Sequence, residues 1–255
     1  MRLKGKTALI TGASRNIGKQ IALTFAREGA DLVLNTRQSV DLLTSLSNEC
    51  KQLGAKTVNV IGDVAQPEGA KFIVQKGLNE LGKIDIFISN VAIRPHLPFL
   101  DISNDQWQLV MNINLNATFY LLKAILPSMI RQSKGSIVVI GGQAAISGRP
   151  YTAAVSASKT GLLGLVRAVA AEMAPHNIRA NMINPGTTDT QRRHPEWYPE
   201  DMNKSQKKLH SFEEIPLKRL ATTQDIANAC LFLASDDAAY ITGEQLNVVG
   251  GRLMI

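Results

Sequence analysis

The sequence predicts an α/β protein whose core is a doubly wound, mainly parallel sheet of seven strands with helices on both faces. Three observations predict it. Short β-branched runs alternate with longer amphipathic ones from end to end, the rhythm of successive βαβ units. The strand-like runs are apolar throughout instead of alternating, as strands covered on both faces must be. A Gly or Pro follows most helical runs, where a helix needs a stop. In order, Thr7-Ala-Leu-Ile-Thr11 reads as the first strand, 17–28 as a helix closed by Gly29, and 32–34 as the second strand. A helix over 39–53 ends at Gly54, and a strand over 57–61 follows it. Next come a helix over 67–81 with Gly82 behind it and a strand over 84–88. The pattern continues with a long helix around 105–132, a strand over 136–140, a helix from about 152 to 174 and a strand over 178–183. A helix near 223–233 and a strand over 245–249 complete it. Between Gln191 and Arg219 the rhythm breaks into a polar, Pro-bearing insertion.

At 255 residues and 27.7 kDa the chain can bury a sizeable core, and its 45% hydrophobic content excludes a disordered one. No linker, repeat or low-complexity stretch divides residues 1–255, which therefore read as one domain. No run approaches about 18 consecutive apolar residues, so no membrane partner is expected. Lys and Arg number 28 against 21 Asp and Glu, a net charge of +7. These basic residues are scattered, without an arginine-rich arm or aromatic–basic interleaving, and no nucleic-acid partner is expected. An enzyme that binds an anionic cofactor or substrate accounts for the same excess. Two cysteines, Cys50 and Cys230, cannot build a disulfide framework. The short polar start leaves no room for the apolar region of a signal peptide, so a cytoplasmic location is expected.

The first strand empties into Thr11-Gly-Ala-Ser-Arg-Asn-Ile-Gly18, directly ahead of a helix. Glycine there keeps the turn tight and lets the backbone approach a pyrophosphate at the helix N-terminus. Further on, Asp63-Val64 closes the third strand and Ser89-Asn90-Val91-Ala92 follows the fourth. Ile113-Asn114-Leu115 falls within the long helix and Ser156-Ala-Ser-Lys159 within the next. Asn184-Pro-Gly186 follows the sixth strand, and Thr242-Gly243 precedes the last. With these motifs in this order, nearly the whole chain resembles the short-chain dehydrogenase/reductase family, nearest to 3-oxoacyl-carrier-protein reductases and sugar or alcohol dehydrogenases. The resemblance implies a Rossmann fold and a nicotinamide dinucleotide site. Its expected residues are Gly12, Ser14, Arg15, Asn16, Ile17, Gly18, Arg37, Asp63, Val64, Asn90, Lys159, Pro185, Gly186, Thr188 and Thr190, with Asp63 against the adenine. Asn16 departs from the family's glycine, but asparagine tolerates a left-handed backbone and the turn is expected to survive. The second strand ends in Asn35-Thr36-Arg37, with no acid to bind ribose hydroxyls and repel a 2′-phosphate. With Arg15 in the turn, two guanidiniums are able to grip that phosphate, which favours NADP(H) over NAD(H).

The family's catalytic set is implied too: a tyrosine that handles the proton, a lysine that lowers its pKa and holds the ribose, a serine that positions the carbonyl, and an asparagine that holds a water. Asn114 and Lys159 are present. Counting back from Lys159 puts Val155 at the tyrosine position and Gly142 at the serine position. Ser136-Ile-Val-Val-Ile140 upstream and Gly161-Leu-Leu-Gly164 downstream fix that register without a gap. A missing general acid costs about 10²–10⁴ in rate, roughly 3–5 kcal/mol. Tyr151, after Pro150, is one candidate substitute; if the helix reaches it, it lies about 6 Å further along the axis than position 155. The insertion over 191–219 occupies the place of the family's substrate loop and carries Arg192, Arg193, Lys204, Lys207, Lys208, Lys218, Arg219, His194, His210, Trp197 and Tyr198. Either it meets an anionic, acyl or aromatic small-molecule substrate, with His194 or Tyr198 as proton source, or it is a polar loop with solvated charges. Arg94 and His96 are expected near the cleft mouth. No metal-ligand spacing and no Ser/His/Asp set is present, so no metal is expected. Gly161, Gly164, Ala168 and Ala171 let another helix approach closely, and the family uses that helix with the 105–132 helix as a dimer face; a homodimer or homotetramer is expected.

Three functions stay open at this point. One is an NADP-dependent oxidoreductase of a carbonyl or hydroxyl substrate, with an atypical site that recruits a water or loop residue as acid. The second is a dinucleotide-binding subunit or regulator without turnover. The third is a lyase, isomerase or hydrolase on the same fold, using Lys159 and a water. Lys159, Asn114 and the Gly-rich turn favour the first; Gly142 and Val155 weigh against reduction.

Overall fold

A computed structural model describes residues 1–191, 197 and 212–254. Seven strands, β1 (Thr7–Ile10), β2 (Asp31–Thr36), β3 (Thr57–Ile61), β4 (Ile86–Ser89), β5 (Gly135–Ile140), β6 (Ile178–Pro185) and β7 (Gln245–Val248), form one sheet. Their order is β3-β2-β1-β4-β5-β6-β7, and every pairing is parallel. The apolar strand runs are explained by two cores. Ala8, Ile10, Leu32 and Leu34 point to one face, under α1 (Asn16–Arg27), α2 (Val40–Gln52) and α7 (Thr223–Ala234). Leu9, Val33, Phe87 and Val139 point to the other, under α3 (Pro67–Leu81), α5 (Ala117–Gln132) and α6 (Ala153–Met173). Strand order reverses between β1 and β4, and at such a switch point the loops leaving the strand C-termini open a crevice.

Two local features differ from the sequence expectation. β4 opens at Ile86, later than the apolar run that starts at Ile84, because Asp85 turns its carboxylate to the Thr7 N–H (2.8 Å). The long helix is not uniform: α4 (Asn104–Met111) passes into a π-helical stretch, Asn112–Asn116, and then into α5. Three asparagines in five residues account for this. Asn112 and Asn116 bond each other (2.7 Å), and Asn114 turns its amide away from the ladder altogether. As expected for a helix starting near 152, α6 begins at Ala153, and Tyr151 lies just outside it, with a left-handed φ of 67°. Continuous helix over Asn104–Gln132 is long and apolar enough to cross a membrane, and here it packs on the sheet through Leu121, Leu122, Ile125 and Met129. Cys50 and Cys230 are buried free thiols, and burial pushes both well up, Cys50 to about 12.

Candidate active site

The Gly-rich turn is held by contacts that only glycine permits. Gly12 has a φ of 61°, and a Cβ on Gly18 would stand 2.2 Å from the Gly12 carbonyl oxygen, so the first turn of α1 lies directly on the loop backbone. Asn16 adopts the left-handed backbone expected of it, with a φ of 48°. Its side chain then does something a glycine cannot: Oδ1 accepts from Gln191 N (3.2 Å) and Nδ2 donates to Gln191 O (3.2 Å), tying the start of the polar insertion to the turn. Asn90 donates through Nδ2 to Thr11 O (3.1 Å) and Gly12 O (3.2 Å), so it fastens the turn to the end of β4. The N-cap residue of α1, Arg15, makes no side-chain cap, and no acid sits in the first turn. A close-packed glycine cradle under uncapped N–H groups fits a pyrophosphate.

At the end of β2, Asn35 is spent inside the protein, donating to Val60 O and Gly62 O (both 3.1 Å). Arg15 Nη2 donates to Ser39 Oγ (3.2 Å), while the Thr36 hydroxyl reaches Ser14 Oγ (3.4 Å). Arg37 is mostly exposed, and its Nη1 stands 3.9 Å from Asp63 Oδ2. The other Asp63 oxygen accepts from Ala65 N (2.9 Å), and Val64 is buried in the core. Two guanidiniums thus border this edge with hydroxyls between them, and the nearby carboxylate comes from the end of β3.

The crevice widens into a cleft of about 620 Å³. Ile17, Asn90, Lys159, Pro185, Gly186, Thr188 and Thr190 all line it, as do Arg94 and His96. Lys159 is 3% exposed, and its Nζ donates to Ile140 O (2.8 Å) at the end of β5. Burial first, and the charge of Arg94 second, bring its pKa down to about 7. An ammonium has three donors, so the bond to Ile140 leaves capacity for a ligand.

Neither wall position beside this lysine offers a hydroxyl. Gly142 takes φ 152° and ψ 168°, a region essentially reserved for glycine. Val155 is buried with Val110 and Ala154 in a small apolar cluster. Tyr151 lines the cleft from outside α6, and Leu97 N donates to its carbonyl oxygen (3.0 Å). Asn114 does not line the cleft: its Oδ1 accepts from Ile93 N (2.8 Å), and Nδ2 donates to Ile93 O (3.0 Å) and Ser158 Oγ (3.1 Å). Its side chain fastens the segment after β4 to α6, one residue before Lys159. His194 and Tyr198, with Arg192, Arg193, Lys204, Lys207, Lys208 and His210, lie outside the described residues. Gln143, Arg149 and Arg252 also line the cleft and escaped the sequence reading. No motif surrounds them; Arg149 sits between Gly148 and Pro150 in a loop, and Arg252 beyond the last strand.

The sequence model of the enoyl-(acyl carrier protein) reductase family matches residues 12–252. An L-rhamnose 1-dehydrogenase (NAD(P)(+)) of Sphingomonas sp. is 36% identical over 98% of this chain and 96% of its own. A 3-oxoacyl-[acyl-carrier-protein] reductase of Thermotoga maritima is 34% identical over the full length of both. The crystal structure of a protein described as a short-chain alcohol dehydrogenase, from Sinorhizobium meliloti, superposes with a TM-score of 0.90, at 32% identity, over 98% of this chain and 97% of that one.

Proposed function

Because the chain belongs to the short-chain dehydrogenase/reductase family and so to the NAD(P)-dependent oxidoreductases, we propose that it moves hydride between NADP(H) and a small carbonyl or hydroxyl substrate, with Lys159 handling the proton. The observation that carries this reading is the buried Lys159 amine at the cleft wall, beside Gly142 and Val155 where the family's serine and tyrosine would stand.

The glycine cradle of Gly12 and Gly18 and the N-terminus of α1 would hold the pyrophosphate. Ser14, Arg15 and Arg37 would hold a 2′-phosphate, Asp63 and Val64 would flank the adenine, and Ile17, Asn90, Pro185, Gly186, Thr188 and Thr190 would border the nicotinamide half. When bound, the dinucleotide supplies hydride in one direction and accepts it in the other. As a carbonyl is reduced its oxygen gains negative charge, and the Lys159 ammonium both stabilises that charge and donates a proton from Nζ. In the oxidative direction the neutral amine takes the hydroxyl proton. A pKa near neutrality suits both tasks, since each form is populated at the working pH. Asn114 acts as a positioning residue through Ser158 and the 93 segment.

Titration with NADPH and NADH, followed by a panel of oxo compounds with NADPH oxidation as readout, tests the reading. Replacing Arg15 and Arg37 together by alanine is expected to weaken NADPH binding by roughly ten- to a hundredfold, as for lost charge-assisted contacts, with NADH binding unchanged. Equal loss for both nucleotides would remove the 2′-phosphate from these arginines. Tyr151→Phe is expected to leave kcat/KM within about threefold of the parent, well under 1 kcal/mol. A hundredfold loss there would make Tyr151 the acid in place of Lys159. Binding of NADPH without turnover of any oxo compound would favour the second reading, a dinucleotide-binding subunit or a non-redox enzyme, which the missing hydroxyls at 142 and 155 support.

The same reading includes a homodimer or homotetramer in the cytoplasm. Trp107, Leu109 and Phe119 on α4 and α5 are exposed apolar residues, and a Cβ at Gly164 of α6 would meet open space, which support a helical face available to a second copy.

A further inference from the structure

The cleft has a second chemical character, independent of its lysine. Arg94, Arg149 and Arg252 line it, and among the described residues no aspartate or glutamate does. Arg149 and Arg252 are neighbours: burial chiefly, and then the charge of Arg252, hold the Arg149 guanidinium below its ordinary value, with Glu214 opposing. A partly buried guanidinium is costly unless an anion answers it. Arg252 has its answer, pairing through Nη2 with Glu214 Oε2 and donating through Nη1 to Thr187 Oγ1 (3.3 Å). Among the described residues Arg149 has no carboxylate paired to it, only the field of Glu214; its Nη2 donates to the neutral Gln143 Oε1.

Gln143 supplies the second observation. It is 8% exposed, and its buried Nε2 finds no acceptor among the described residues. Turning the amide over would not help, because its NH₂ would then face the guanidinium, which is a donor as well. Among the described residues, one wall of the cleft therefore holds a guanidinium with no carboxylate paired to it and a buried donor without an acceptor. An anion with acceptor oxygens in the cleft answers the guanidinium, which Gln143 Oε1 holds in place.

We propose that the substrate carries a carboxylate, held by the guanidinium of Arg149 with Arg252 beside it and Gln143 orienting Arg149. The planar guanidinium fork matches two carboxylate oxygens, which fixes direction as well as affinity. A molecule anchored there and reduced at the Lys159 side is an oxo acid, and its product a hydroxy acid. That last step rests on the oxidoreductase reading above; the anion site rests on its own residues. Glu214 is the internal competitor, since it holds Arg252 in the absence of substrate.

Calorimetry with acetoacetate, its methyl ester and inorganic phosphate tests this on protein saturated with NADP⁺, so that the phosphates of the nucleotide are already placed. The parent protein is expected to bind acetoacetate at least about tenfold more tightly than the ester. Arg149→Met should erase that preference and Arg149→Lys keep part of it, with thermal melts reporting the fold. Glu214→Gln, at an exposed position, should tighten acetoacetate binding and remains decisive if the Arg149 variants fold poorly. Equal binding of acid and ester by the parent, a preference that survives Arg149→Met, or acetoacetate binding unmoved by Glu214→Gln would overturn the proposal. Phosphate binding without acetoacetate binding would overturn the carboxylate. If the protein binds no NADP(H), the oxidoreductase reading fails alone, and the acid–ester comparison on the nucleotide-free protein still judges the anion site.

Discussion

Replacing Lys159 by methionine is expected to lower turnover by about 10²–10⁴-fold, the usual loss of a general acid, while NADPH still binds. Lys159 is the buried amine beside Gly142 and Val155 on the cleft wall, and methionine preserves much of the volume of its buried stem. The pKa of about 7 adds a pH signature. Reduction needs the ammonium, so its rate should fall as pH rises through about 7, and oxidation should show the opposite limb. Stability should respond as well. The unfolded chain keeps its lysine protonated up to about the ordinary 10.5, whereas the folded protein releases the proton near 7. Between those values the unfolded state binds more protons, so this residue makes stability rise with pH; its burial cost is full below 7 and fades toward 10.5. Thermal melts of Lys159→Met and the parent at pH 6 and pH 9.5 check the sign. The variant should gain most, relative to the parent, at the lower pH. Full turnover in the variant, or a melting difference that does not move with pH, would contradict the assignment.

Gly18→Ala should remove dinucleotide binding, with affinity for NADPH falling by about a hundredfold or more, close to 3 kcal/mol. The new Cβ would lie 2.2 Å from the Gly12 carbonyl oxygen and 2.9 Å from Asn90 Nδ2. The side-chain amide can swing aside, but the carbonyl belongs to the turn itself, and Asn90 fastens that turn to β4. Relief therefore means opening the cradle, with the melting temperature lowered as well. Asn16→Gly is the contrasting variant. Glycine accepts the backbone φ of 48°, so the cradle should persist and only the two bonds to Gln191 be lost. Fluorescence titration with NADPH separates the two; near-parental affinity in Gly18→Ala would mean that the cradle does not carry the pyrophosphate.

Much of the fold was legible because it is written in local periodicity. Thr7–Ile10, Thr57–Ile61 and Pro67–Leu81 fall where the apolar runs and their stop signals put them, and the buried strands needed cover on both faces. The left-handed backbone at Asn16 was legible for the same reason, as a property of one residue in one turn. What failed locally failed through side chains bonding away from their own element. Asn114 interrupts a helix that its neighbours would continue, because its amide is claimed by Ile93 and Ser158. Tyr151 stands just ahead of α6, where the sequence put the helix start, with its backbone held in a loop against Leu97.

The anion-binding wall was not legible at all. Gln143 follows β5, Arg149 sits in the loop before α6, Glu214 lies within the 191–219 insertion and Arg252 beyond β7, with no spacing to connect them. The sequence by itself determined the alternation of strands and helices, the glycine turn and the place of Lys159 on its helix, because each depends on residues within a few positions of one another. Only the tertiary structure decided which charges share the cleft. Parallel strands all deliver their loops to one edge of the sheet, and there residues far apart in the chain feel the same desolvation and each other's field.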